Sequence, residues 1–418
     1  MLTGTNLTHA KRHNLQIVHE TIRLFAPISR ADVARRTGLT AQTISNLVRQ
    51  LIDAGLVVET ARATGSRGAP PIQLEVNPDA AFAVGLDLDT DHFTAVLVDL
   101  AGVARARIHH EVSLASPAAA LDLCAETTHA LAAELGLRMD QIWGVGVGIP
   151  GPMRPGPDET YLVSPIAFPE WHDVPLAEQL HERIGLPVFI ENNATAAALG
   201  EHWYGAGRHL STFFYVYLGS GLGGGLVVQG APFDGHTGNA GEIGYLSPRR
   251  GRVEDGPTHV GELFNIGLLY QRLAAAGVDA ATPDDLLALH DASEPAFEAW
   301  FAEAADELAG LLFTVRAILD PEATFVGGRW PDRLLERLLE RARAHLGAAV
   351  VPGGLEAPSI RLATAGADAG ALGVASLPLY HAFAPLQRTS LRRADSTDAA
   401  VMDDNGTGSA FKRPGGLS

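Results

Sequence analysis

Apolar residues recur at helical spacing over residues 14–26, where Leu15, Val18, Ile22 and Phe25 fall on one face. Ser29-Arg30-Ala31-Asp32 has the spacing of a capping box, so a second, short helix is expected after Ser29, ending at Gly38. Thr40 can cap a third helix, whose buried stripe would be Ile44, Leu47, Val48, Leu51 and Ile52. That stripe leaves Gln42, Thr43, Ser45, Asn46, Arg49 and Gln50 facing outward. Amides and hydroxyls on such a face suit base edges and phosphates in a major groove. Leu56 to Glu59 and Ile72 to Glu75 then read as the two strands of a wing, and the tip between them can carry Arg67 toward phosphates or a minor groove. The pattern predicts a winged helix-turn-helix over residues 1–78 that reads operator DNA, with Arg30, Gln42, Thr43, Ser45, Asn46, Arg49 and Arg67 as its contacts. A small three-helix interaction domain with solvated polar faces is the competing reading.

From Ala81 the pattern changes to strands alternating with helices. Ala83 to Asp87 and Phe93 to Val98 read as a hairpin, Ile142 to Ile149 as a strand ending in Pro150-Gly151-Pro152, and Pro187 to Ile190 as a strand running into a helix near Ala194. Phe213 to Leu218 and Leu226 to Val228 flank the glycine run Gly219 to Gly225, a hairpin whose tip must bend sharply or approach a ligand closely. A second glycine cluster, Gly235 to Gly244, carries His236, Asn239 and Glu242 on a loop, where polar groups can converge on a small molecule. A long helix is expected over Pro295 to Leu319, strands over Ala323 to Val326 and Ile360 to Ala363, and a last helix from Ala369 to Tyr380. This alternation predicts an α/β body of two lobes with a cleft between them, over residues 79–383. The polar tail, residues 384–418, is expected to be disordered.

Composition sharpens this division. The chain has 418 residues, 46% hydrophobic and 19% charged, enough for two to three globular units. The net charge of -17 argues against non-specific nucleic-acid binding by the whole chain, but it is uneven. Residues 1–75 hold nine Lys/Arg against five Asp/Glu, which leaves about -21 on the remainder. A basic reading head on an acidic body is the expected arrangement. No run of about 18 apolar residues occurs and the N-terminus lacks the apolar core of a signal peptide, so a cytoplasmic protein without membrane contact is expected. The single cysteine, Cys124, excludes an internal disulfide and any multi-cysteine zinc site, and reads as a packing residue.

Four stretches in order, Val145 to Pro152 (VGVGIPGP), Glu191 to Glu201 (ENNATAAALGE), the glycine hairpin with Ala240-Gly241-Glu242-Ile243-Gly244, and Asp320-Pro321-Glu322 leading to Gly327-Gly328, resemble the family of repressors, open reading frames and sugar kinases known as ROK. The resemblance covers about residues 14–382. It implies a winged helix joined to an actin-like, sugar kinase/ribonuclease H-like body of two lobes. Three departures from the kinase pattern bear on activity. The glycine pair that follows the first-strand aspartate in the kinases, where backbone amides cradle ATP phosphates, is replaced by Leu88-Asp89-Thr90-Asp91 after Asp87. The aspartate that acts as general base is replaced by Asn193, whose amide can hydrogen-bond a hydroxyl but cannot usefully take its proton. The histidine and cysteines of the structural zinc site are replaced by Tyr245 and a cysteine-free segment to Glu262, while His236 and His259 read as plain surface residues.

The resemblance therefore implies no enzyme, no cofactor and no metal. Its implication is a sugar-responsive transcriptional regulator, a repressor acting as a homodimer or homotetramer, with a hexose kinase as the alternative. The sugar ligands it implies are Asn192, Asn193, Glu242, Tyr245 and Glu262. Asn192 and Asn193 can also cap the helix that follows, a role compatible with binding, and Tyr245 can stack on a sugar, donate its hydroxyl or equally be buried in the core.

Overall fold

We analysed a computed structural model that describes residues 7–60, 71–112, 114, 116–156, 161–166, 168–249, 257–347, 359–383 and 392–394. The first part is three helices and a small sheet: α1 (Leu7–Phe25), β1 (Ile28–Ser29), α2 (Arg30–Thr37), α3 (Ala41–Asp53), β2 (Val57–Thr60) and β3 (Gln73–Val76). Both expected caps form. Ser29 Oγ accepts from the Asp32 amide at 3.2 Å, and Thr40 Oγ1 from the Thr43 amide at the same distance. The chain leaves α2 through Gly38 at φ 70°, a left-handed turn that glycine adopts without strain. Ile44, Leu47, Val48 and Leu51 are buried as the periodicity requires. The wing has a third strand not expected from sequence, since β1 pairs with β3 to give the order β1-β3-β2. Two residues are too short to leave a period-2 signal.

The body begins with β4 (Phe82–Leu88), β5 (His92–Asp99) and β6 (Ala104–Glu111), continues through α4 (Pro117–Glu134), β7 (Ile142–Ile149), the small hairpin β8 (Met153–Pro155) and β9 (Tyr161–Val163), then α5 (Leu176–Ile184), β10 (Val188–Asn192) and α6 (Asn193–Tyr204). The second lobe holds β11 (Phe213–Leu218), β12 (Leu222–Val228), β13 (Ala231–Pro232), α7 (Val260–Leu263), α8 (Ile266–Ala275), α9 (Pro283–Asp291), α10 (Pro295–Leu319), β14 (Ala323–Gly328), α11 (Asp332–Gly347) and β15 (Ile360–Leu362). Finally α12 (Ala369–Phe383) returns to the first lobe, followed by β16 (Arg392–Ala394). The first-lobe sheet runs β16-β10-β7-β4-β5-β6 and the second β13-β12-β11-β14-β15, the α/β body of two lobes expected. In both, an antiparallel hairpin abuts parallel strands.

The tail departs from expectation at one point. Arg392–Ala394 lies antiparallel on β10, covering an edge that would otherwise present unpaired amides and carbonyls. The remainder of 384–418 lies outside the described residues.

Strands β4, β5 and β7 are buried throughout, so they read as apolar runs rather than alternating ones. Their alternation decides which core each side chain joins. Val84, Leu86 and Leu88 face a core that also holds Cys124 and Leu131 of α4 and Leu180 of α5. Ala83, Val96 and Val98 point the other way, into a core shared by Val18 and Ile22 of α1, Leu51 of α3 and Ala371, Ala375 and Leu379 of α12. The winged helix and the first lobe are therefore built on one core. Cys124 is fully buried, and burial pushes its thiol up to about 12, in keeping with a packing role. A polar contact joins the same two parts: Arg23 of α1 is paired with Glu20 at 2.6 Å and lies 4.0 Å over the ring of Trp203, at the end of α6. Among the described residues no helix is long and apolar enough to cross a membrane.

Candidate functional site

Between the lobes lies a cleft of about 1500 Å³. Asn192, Asn193, Glu242, Tyr245 and Glu262, distant in sequence, all line it. Asn192 ends β10 and is the N-cap of α6: its Oδ1 accepts from the Ala194 amide at 2.8 Å, while its Nδ2 points at Glu242 Oε1, 3.5 Å away. Capping thus fixes the side chain so that its amide faces the cleft. Asn193 is 9% exposed, with Nδ2 3.5 Å from Asp89 Oδ2. Tyr245 is 46% exposed and sits edge-on to His259, ring centroids 6.0 Å apart. The core reading for Tyr245 is thereby removed. Glu262 reaches the cleft, but its oxygens already accept from the Thr258 amide at 2.8 Å and the Thr258 hydroxyl at 2.5 Å.

Glu242 lines the cleft, and the glycines around it allow very close packing. Gly241 has φ 91°, and a Cβ there would fall inside the Gly224 carbonyl. The glycine run of β12 is used in the same way. A Cβ on Gly223 would lie 2.8 Å from that of Ala194, and one on Gly225 would overlap the Ala194 carbonyl. The close partner of these glycines is α6 rather than a ligand. Only at the tip does the backbone stand open, with nothing within 4 Å of a Cβ at Gly221, which faces the cleft.

Three features were not found from sequence. The first is Asp89. It is fully buried, accepts from the Ser220 hydroxyl at 2.5 Å and the Thr90 amide at 2.7 Å, and so ties the first lobe to the hairpin tip of the second. Burial raises its carboxyl above the usual range even against the opposing pull of His92 and Ser220. The second is Arg329, just after β14, which reaches across to Glu111 of β6 at 3.3 Å. The third is His259, which shares the cleft wall with Tyr245 instead of standing isolated on the surface. His236 is exposed and away from the cleft, and Asn239 is committed to the Met153 backbone, accepting at 3.0 Å and donating at 2.8 Å. Neither converges on the cleft as the loop pattern suggested.

His92 governs the charge beside Asp89. Burial disfavours its imidazolium, but the Asp87 carboxylate 3.7 Å from Nε2 and the Asp91 carboxylate 2.8 Å from Nδ1 outweigh that and lift it from 6.5 to about 9. Asp89, Asp91 and His92 lie close enough to share a cation, and protonated His92 supplies that charge itself. A folded-state value raised above the unfolded one gives stability that is complete below about pH 6.5 and lost as pH rises through about 9. His92→Gln should flatten this part of the profile, which thermal melts from pH 6 to 10 will show.

At the winged helix, Arg30, Ser45 and Arg49 line one shallow groove. Arg49 is exposed, whereas Arg30 is held by Glu59 at 2.6 Å. Gln42 and Asn46 lie on the exposed side of α3, 3.3 Å apart, and Thr43 Oγ1 lies 2.8 Å from Thr40 Oγ1. Arg67 lies outside the described residues.

Comparison with known proteins places both parts. The ROK family model matches residues 83–380, and a MarR family model matches residues 11–68. The chain belongs to the ROK family. It is 29% identical to the xylose repressor of Bacillus spizizenii over 240 residues, which cover 57% of this chain and 62% of the repressor. Its fold matches a solved ROK family transcriptional regulator, a homologue of the E. coli MLC protein, with a TM-score of 0.70 at 20% identity, covering 89% of this chain and 97% of that one. It also matches the ROK hexokinase of Thermus thermophilus, with a TM-score of 0.55 at 30% identity, over 70% of this chain and 96% of the enzyme. The hexokinase match covers a share close to that of the body, whereas the regulator match takes in nearly the whole chain.

Proposed function

We propose that this ROK protein is a DNA-binding transcriptional regulator, a repressor acting in the cytoplasm, whose body binds a sugar effector and catalyses nothing. The observation that carries the reading is the winged helix fused to the first lobe through one core, with the cleft of Asn192, Asn193 and Glu242 on the same body. The similarity to a protein named xylose repressor supports it. A ligand that binds one lobe arrangement better than another shifts the population toward it, and α6, which runs from Asn193 at the cleft to Trp203 beneath Arg23, would carry the shift to α1. Two copies related by symmetry would place two recognition helices on successive turns of DNA.

Phosphoryl transfer is disfavoured by three features. Asn193 stands where a base is needed, and the neighbouring carboxylate, Asp89, is fully buried and already accepts from the Ser220 hydroxyl and the Thr90 amide. Where phosphates would lie, Asp91 lines the cleft. A coupled ATP assay across a sugar panel checks this, and turnover lost in Glu242→Ala would overturn the reading.

The recognition face gives a separate test. Arg49→Ala should weaken operator binding about tenfold and lower the slope of binding against salt by about one, with effector binding unchanged. Gel-shift titrations at several salt concentrations measure both quantities. Unaltered affinity and slope would remove α3 from the DNA interface.

A further inference from the structure

We infer that the effector is an uncharged sugar that carries no phosphate, an inference resting on the sugar-effector reading above. Among the described residues, the cleft wall presents six carboxylates, from Asp91, Glu111, Glu242, Glu262, Asp284 and Asp332, against one guanidinium, that of Arg329. A phosphate ester carries nearly two negative charges and is bound where several cationic or amide donors converge on it. Among the described residues no second Lys or Arg side chain joins Arg329 on this wall. Arg329 pairs through Nη2 with Glu111 at 3.3 Å and its charge also faces Asp91, while its buried Nη1 has no partner among the described residues. The N-termini of α6, α8 and α9 at the wall are capped from within: Asn192 Oδ1 accepts from the Ala194 amide at α6, Asn265 Oδ1 from the Leu268 amide at α8, and Thr282 Oγ1 from the Asp285 amide at α9. The Ser220 hydroxyl at the hairpin tip, a donor that would suit a phosphate, is given to Asp89.

The same inventory suits neutral hydroxyls. Carboxylate oxygens accept from O–H groups, the Asn192 amide donates, and Tyr245 and His259 offer ring faces beside them. A sugar phosphate along this wall would meet carboxylates in excess over guanidinium, whereas a free sugar would meet acceptors it can satisfy.

The test uses the full chain in thermal-shift titrations with a panel of pentoses, hexoses and N-acetylhexosamines, each paired with its terminal phosphate ester. One or more free sugars should raise the melting midpoint, and the matching ester should bind at least about tenfold more weakly. The double substitution Asp284→Asn/Asp332→Asn, at two exposed positions of the wall, should narrow that ratio. An ester that stabilises the protein as well as its parent sugar would overturn this inference and leave the regulator reading standing. A panel in which neither form of any sugar shifts the midpoint would overturn the sugar-effector reading itself.

Discussion

Glu242→Ala is expected to abolish the thermal stabilisation given by the effector while leaving the unliganded melting point nearly unchanged. The carboxylate lines the cleft, half-buried, with Asn192 Nδ2 3.5 Å from Oε1. Hydrogen bonds to a charged group contribute about 1.5–3 kcal/mol each, so losing two hydroxyl contacts would weaken binding by roughly two to four orders of magnitude. The half-exposed position makes the cost to the fold small. Glu242→Gln separates charge from shape, since it keeps one acceptor and adds a donor. It should retain weak binding, whereas the alanine variant should retain none measurable by thermal shift or calorimetry. An alanine variant that still melts higher with sugar would move the ligand to another part of the cleft.

Gly373→Val should prevent the body from folding. A Cβ at Gly373 would fall inside the Ala196 carbonyl of α6, and one at Gly146 inside the Val374 carbonyl of α12. At both places backbone meets backbone, so no side chain can swing aside to relieve the overlap. Overpacking in a core costs about 1–3 kcal/mol when neighbours can yield, and more is expected where only main chain is available to move. Gly38→Ala is the contrast. Nothing lies within 4 Å of a Cβ there, and the cost is that of φ 70° alone, about 1 kcal/mol. Circular dichroism melts of the two variants should show a lost transition for the first and a modest shift for the second.

How far the sequence could be read depended on the range of the interaction. Helix α3 was legible because its stripe repeats every three to four residues and Thr40 marks its start. The cleft residues were legible because the resemblance placed Asn192, Asn193 and Glu242 in separate motifs that the fold then brings together. Asp89 was not. Its partner Ser220 is 131 positions away, and an aspartate in an acidic stretch gives no sign that it will be buried. The glycines of β12 were legible as unusual but not as to cause, since close approach to a ligand and close approach to α6 leave the same residue type. From sequence His259 reads as a plain surface residue and Arg329 gives no signal, for a similar reason: single polar residues on connections carry no period.

The core shared by α1, α3, β4, β5 and α12 gives the molecule a property that its division by composition hides. Trp143 and Leu100, nearly fully buried in that core, belong to the body by chain position yet pack in the cluster that holds Val18 and Ile22 of the reading head. The two functions therefore draw on one free energy of unfolding. Drift in these core positions would weaken operator binding and effector binding together, so a lineage could change its ligand through the cleft wall, or its operator through the outer face of α3, but could not readily exchange one reading head for another.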